Sequence, residues 1–233
     1  MSTEWIDIAA EDGGTFGAYL SLPPTGRGPG ILLIQEIFGV NAHIRAVADQ
    51  YAMDGYTVLA PDVFWREQPR VELGYDTADF AAGRELANRA KFSQCVRDLA
   101  VALGVLRARP ECNGRVAALG YCLGGRLAYH LAAETDVDAA VCYYGGGIPT
   151  VLDQAPKIRA PILFHFAERD SFIPLDGVEA VRETFAPRSN AMLELYRGVD
   201  HGFNCWARSS YDQTAAALAR GRTLAFLATN LPR

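Results

Sequence analysis

The chain has 233 residues, half of them hydrophobic, with 22 basic and 27 acidic side chains and a net charge of −5. That is enough chain for one well-buried core, it offers no basic face for nucleic acid, and no apolar run approaches the roughly 20 residues that span a bilayer. Five cysteines at irregular spacings, with no CxxC pair and no His/Cys cluster at metal-ligand spacing, argue against a disulfide framework and a structural metal. The opening MSTEWIDIAAEDGG is polar and acidic and lacks a secretory pattern. The expectation is one cytoplasmic domain over residues 1–233, a monomer without cofactor or metal and with no nucleic-acid or membrane partner.

In chain order, EWIDIAA and TFGAYLS read as strands joined by EDGG, a hairpin. GILLIQ, Gly30 to Gln35, is a continuous apolar run of buried-strand length. NAHIRAVADQYAMDG has helical period and a plausible C-cap at Gly55. YTVLAPD is a strand stopped by Pro61. The pattern then breaks down from Val63 to about Ala82, a surface excursion containing FWREQP, and one long helix is expected from Arg84 to Arg109. Beyond it the alternation resumes. RVAALG, DAAVCYYG, PILFHFAERD and AMLELYRGVD read as strands, and GGRLAYHLAAE, LDGVEAVRETFA and SSYDQTAAALARGRTLAFLAT as helices. Strands alternating with helices predict an α/β fold: a single domain with a mostly parallel sheet covered by helices on both faces.

In such sheets reactive groups gather outside the carboxyl ends of strands. Cys122 follows RVAAL, Asp170 follows PILFHF and His201 follows AMLELY. Nucleophile, acid and histidine stand in the chain order of an α/β-hydrolase triad, and Gly-x-Cys-x-Gly around Cys122 is its nucleophile elbow with sulfur in place of oxygen. A strand turning sharply into a helix strains the central residue and leaves no room for side chains two positions either side, hence Gly120 and Gly124. The helix N-terminus favours a thiolate and can hold an oxyanion. Glu168 and Asp176 stand as alternatives to Asp170. Cys95, Cys112, Cys142 and Cys205 read as buried small hydrophobes, and His43, His130 and His165 as structural.

GYCLGG at 120–125, QEIFGVNAHIR at 35–45, YYGGG and DHGF resemble, in order, the motifs of the dienelactone hydrolase (carboxymethylenebutenolidase) family, over nearly the whole chain. The resemblance implies an α/β-hydrolase fold and a Cys122–Asp170–His201 triad. It also implies a carboxylate, Glu36, beside the thiol and an oxyanion hole from the N–H groups of Leu123 and Ile37. It implies opening of enol-lactones such as dienelactone, giving maleylacetate, through a cysteine thioester, with Phe38 and Tyr144 among the substrate-binding residues. The family's best-known members hold a substrate carboxylate with two arginines. Here the position four beyond His201 is Cys205, so Arg208 and, in the earlier helix, Arg84 are the candidates, with Trp65 or Arg66 of FWREQP in reserve.

Sulfur restricts the substrate. Thiolate leaves easily, so the adduct of an ordinary alkyl ester reverts, whereas an enolate leaving group is drawn off as the ketone. Activated esters and enol-lactones are expected over alkyl esters and amides. The alternatives are a broad cysteine carboxylesterase or thioesterase, and a non-catalytic thiol sensor on a hydrolase fold. A sensor wants a resolving cysteine nearby, and only Cys205 is placed to serve.

Overall fold

A computed structural model describes residues 2–232. Its strands β1 (Ser2–Ala9), β2 (Thr15–Leu22), β3 (Gly28–Ile34), β4 (Thr57–Pro61), β5 (Cys112–Tyr121), β6 (Ala139–Tyr143), β7 (Ile162–Ala167) and β8 (Ala191–Tyr196) form a mostly parallel sheet. The strand order is β1-β2-β4-β3-β5-β6-β7-β8. Six α-helices accompany the strands among the described residues: α1 (Ala42–Met53), α2 (Thr77–Arg89), α3 (Phe92–Ala108), α4 (Leu123–Glu134), α5 (Leu175–Phe185) and α6 (Gln213–Asn230). The fold is α/β, and its contacts group the chain into two compact units, one reaching Ala117 and one spanning Ala118–Leu231.

In the first unit β1 and β2 form the expected antiparallel hairpin, in register from Ser2 opposite Leu22 to Ala9 opposite Thr15. β3 and β4 are buried at every position and pair in parallel, which explains their unbroken apolar runs. Asn41 caps α1 by accepting the Ile44 N–H at 3.2 Å.

The 63–82 excursion is ordered by polar contacts within this unit. The buried Asp62 carboxylate accepts the N–H groups of Phe64 (3.0 Å) and Arg70 (2.6 Å). Gly39 bridges to Glu72, and the Leu73 N–H donates to the Phe38 carbonyl at 3.0 Å. Phe38 packs on Tyr75 with ring centroids 4.6 Å apart. The excursion is therefore a strap laid over the loop that carries Glu36, Ile37 and Phe38.

The single helix expected over 84–109 is two helices. Asp76 accepts the Asp79 N–H at 2.8 Å and starts α2 at Thr77, earlier than periodicity suggests. The chain then turns extended at Ala90 (ψ 127°) and Lys91 (ψ 106°) before α3. Neither residue is a glycine or a proline, so no sequence signal marked the break.

In the second unit β6, β7 and β8 pair in parallel. The final helix begins at Gln213, where Asp212 accepts the Ala215 N–H at 2.8 Å. Ser209 to Tyr211 thus precede the helix instead of opening it.

Between β6, β7, β8 and α6 lies a fully buried polar chain. The His165 ring reaches Tyr196 Oη through Nδ1 and Thr223 Oγ1 through Nε2, both at 2.9 Å. Thr223 Oγ1 also meets Tyr143 Oη at 2.7 Å, and the Tyr143 ring stacks on the imidazole at 4.2 Å. These bonds suit a neutral imidazole. Burial first, and the charge of Arg222 second, push its pKa down to about 3.

The unfolded chain takes up this proton below about pH 6.5, whereas the folded chain resists until near pH 3. The folded state binds fewer protons across that window, so stability falls as pH falls through it. Urea unfolding should show the wild type losing about 2 kcal/mol more than His165→Phe between pH 6.5 and 4.5. Parallel pH profiles for the two would mean that this imidazole is not held neutral.

Candidate active site

The second unit builds the site from an elbow. β5 ends at Tyr121, α4 starts at Leu123, and Cys122 between them stands at φ 55°, ψ −114°. A β-carbon on Gly120 would run into the Gly124 carbonyl, and one on Gly125 would lie 2.6 Å from the Tyr143 carbonyl oxygen. Glycines there let strand and helix meet at backbone distance. The Cys122 N–H donates to the Tyr143 carbonyl at 3.0 Å, and the Cys122 carbonyl accepts the Arg126 N–H at 3.2 Å. The thiol itself is left partly exposed at the helix N-terminus. The other four cysteines are reduced and buried, Cys205 completely.

Asp170 and His201 meet where the β7 and β8 loops converge. Asp170 Oδ2 lies 2.7 Å from His201 Nδ1, and Asp170 Oδ1 accepts the Phe172 N–H at 2.9 Å. Both residues are buried. The two alternative acids are engaged elsewhere. Glu168 Oε2 accepts the Gly198 N–H at 2.7 Å, and Asp176 is exposed at the start of α5, accepting the Gly177 N–H at 2.7 Å.

Burial works against a charged His201, yet its pKa is raised to about 10. The charge of Cys122 is the first contribution that overcomes burial, followed by the Asp170 hydrogen bond. No hydrogen bond of ordinary geometry forms at Nε2 among the described residues. Cys122 therefore acts on the ring chiefly through charge, and with Asp170 it holds His201 toward imidazolium; such contacts tighten when substrate is bound.

The imidazole is set among aromatic rings. Tyr144, at φ 36° and with its N–H on the His165 carbonyl at 2.7 Å, is completely buried and places its ring 4.9 Å from that of His201. Phe203 packs against Tyr144 at 5.5 Å. Phe172 meets His201 edge to face at 5.0 Å and is 52% exposed. Sequence reasoning passed over Phe172, because nothing in SFIP distinguishes a presented ring from a buried one.

Among the cation candidates, Arg208 lies flat against Gly202, where any β-carbon would strike its guanidinium. Gly202 also stands at φ 80°, a backbone conformation that favours glycine. Arg66 is committed elsewhere, pairing with Asp98 at 2.9 Å and Asp12 at 2.7 Å, while Trp65 Nε1 donates to the same Asp98 at 2.9 Å. Those two reserve candidates anchor the strap.

The remaining candidates belong to the first unit. Glu36, Ile37 and Phe38 are buried in the loop after β3, and the Gln35 side chain donates to the Glu36 carbonyl at 3.3 Å. Gly83 of α2 packs on the Ile37 carbonyl, and its neighbour Arg84 is exposed. Among the described residues there is no cluster of side chains fit to hold a metal and no helix long and apolar enough to cross a membrane.

The coupling between Cys122 and His201 is directly measurable. A ¹H–¹³C titration of the His201 ring should find imidazolium persisting well above pH 7 in the wild type. Cys122→Ala should lower that midpoint by more than one unit, because it removes the charge and leaves burial in force. An unchanged midpoint would show that Asp170 alone carries the effect.

Three comparisons bear on this arrangement. The model of the dienelactone hydrolase family matches residues 16–231, across both units. The chain is 35% identical to carboxymethylenebutenolidase 1 of Cupriavidus pinatubonensis, covering 98% of this chain and 97% of the relative. It is 37% identical to the carboxymethylenebutenolidase of Pseudomonas putida, with the same coverage. A solved structure of a candidate dienelactone hydrolase from Klebsiella pneumoniae superposes with a TM-score of 0.85 at 29% identity, covering 98% of this chain and 99% of that one.

Proposed function

Because the chain belongs to the dienelactone hydrolase family, with the α/β-hydrolase fold that its neighbours share, we propose that it opens enol-lactones of the dienelactone type through a cysteine thioester. The observation that carries this reading is the partly exposed Cys122 at a strained elbow, electrostatically coupled to a histidine that Asp170 holds at 2.7 Å.

The Cys122 sulfur attacks the lactone carbonyl carbon. The oxyanion that forms is received at the N-terminus of α4, where first-turn N–H groups such as that of Leu123 have no acceptor within the helix. On the family resemblance, the Ile37 N–H is the second donor and Glu36 is the carboxylate that serves the thiol. The tetrahedral adduct collapses with cleavage of the ring C–O bond, and His201 Nε2 gives its proton to the departing enol oxygen. The enol tautomerises to a ketone and cannot return. Water, deprotonated by the now neutral His201, then cleaves the thioester and regenerates the pair, leaving a keto acid, maleylacetate in the case of dienelactone.

Asp170 fixes the Nδ1–H tautomer and stabilises imidazolium without being consumed. A substrate carboxylate needs a fixed cation, and an arginine fork suits it best. Arg208 fills that role in this reading.

A hydrolysis assay with dienelactone and p-nitrophenyl acetate tests the proposal. Cys122→Ala should abolish turnover of both while keeping the wild-type circular dichroism. Arg208→Ala should raise KM for dienelactone by about 10- to 100-fold, the loss of a charge-assisted hydrogen bond of ~1.5–3 kcal/mol, and should affect the neutral ester far less. Most activity retained in Cys122→Ala would end the cysteine-hydrolase reading. Equal effects of Arg208→Ala on the two substrates would make that arginine structural.

A further inference from the structure

Phe172 is a large aromatic ring left half in solvent beside a buried imidazole, and this costs the fold apolar burial. Its position is held firmly all the same. The Asp170 carboxylate that bonds His201 through Oδ2 also accepts the Phe172 N–H through Oδ1, so one buried side chain sets both the imidazole and the turn bearing the ring. Ile173, with its N–H on the Asp170 carbonyl at 3.3 Å, is buried and closes the same turn. Exposed Leu175 and Trp206 lie three residues beyond Phe172 and five beyond His201. Large apolar groups are thus presented on the segments that follow the acid and the histidine.

We propose that Phe172 is a specificity-determining residue that packs against the leaving-group side of the substrate and selects a planar, unsaturated leaving group. This rests on the hydrolase reading above. The direction follows from the proton path. In that reading His201 delivers its proton to the departing oxygen, so the atoms attached to that oxygen lie beside the imidazole. Phe172 is the exposed ring in contact with that imidazole. An edge-to-face partner of His201 offers its own free surface to a flat group and gains little from a saturated, flexible one. An enol or aryl oxygen brings such a flat group, and it also supplies the leaving ability that a thiolate nucleophile needs. Recognition and reactivity thus select the same chemical class.

Phenyl acetate and hexafluoroisopropyl acetate form the test pair. Both carry the same acyl group and a similarly activated oxygen, but only the phenyl ester has a flat, unsaturated leaving group. The readout is the ratio of kcat/KM for phenyl over hexafluoroisopropyl acetate. Phe172→Ala should lower this ratio about tenfold, and Phe172→Leu should fall between. Met192→Ala, which removes a comparably exposed apolar side chain on β8, should leave the ratio unchanged. An unaltered ratio in Phe172→Ala, whether both substrates suffer equally or neither does, would overturn the proposal. Failure of the wild type to hydrolyse either ester would instead overturn the hydrolase reading on which it rests.

Discussion

Cys122 occupies a backbone conformation, φ 55° and ψ −114°, that a side chain bearing a β-carbon adopts only under constraint. Such a residue costs on the order of 1–3 kcal/mol, and the surrounding structure must hold it in place. The restraint comes from both sides of the turn: its N–H is tied to β6 through Tyr143, and its carbonyl begins the hydrogen bonding of α4. The glycines at 120 and 125 then follow from backbone collisions, because strand and helix pass too close for any β-carbon. Gly145 belongs to the same packing, since a β-carbon there would lie 2.9 Å from the Arg126 nitrogen. The elbow thus dictates residue choice in β5, in α4 and in the loop after β6. Its product is a partly exposed sulfur at a helix N-terminus, where negative charge is stabilised.

The second organising feature is the division of labour within Asp170. Each carboxylate oxygen has one task, the His201 ring for Oδ2 and the Phe172 N–H for Oδ1. Beneath the imidazole, Tyr144 and Phe203 form an aromatic floor that continues through Tyr196 to the neutral His165 chain. Histidines in opposite electrostatic situations therefore stand in one unit. His165, buried among hydroxyl partners with only a cationic neighbour, is kept neutral. His201, equally shut off from water but facing Cys122 and Asp170, is pushed toward its charged form. Burial alone does not decide the charge of an imidazole; its partners do.

Much of this was legible in the sequence, for identifiable reasons. The hairpin, the buried strands and α4 follow from apolar period and glycine placement, which are local properties. The elbow was legible because Gly-x-Cys-x-Gly encodes a steric requirement as well as a composition. The acid was narrowed to three residues, and only tertiary geometry separates Asp170 from Glu168, which holds the Gly198 N–H, and from the exposed Asp176. The break at Ala90–Lys91 left no trace because both residues are good helix formers, and the early start of α2 depended on Asp76 acting as a cap. The 63–82 segment looked patternless because its order comes from side-chain-to-backbone bonds such as those of Asp62, which have no period. Phe172 could not be found at all, since exposure of an aromatic ring is a property of the folded chain.

The central claim is that the Cys122 sulfur becomes covalently acylated. Mixing the enzyme with excess phenyl acetate, quenching with acid within the first turnovers and mapping the peptides by mass measures this directly. The account predicts one acetyl group per chain, carried by the peptide containing Cys122 and released by neutral hydroxylamine as a thioester is. An acetyl group on any other residue, or turnover that continues after Cys122 has been stoichiometrically alkylated, would contradict it.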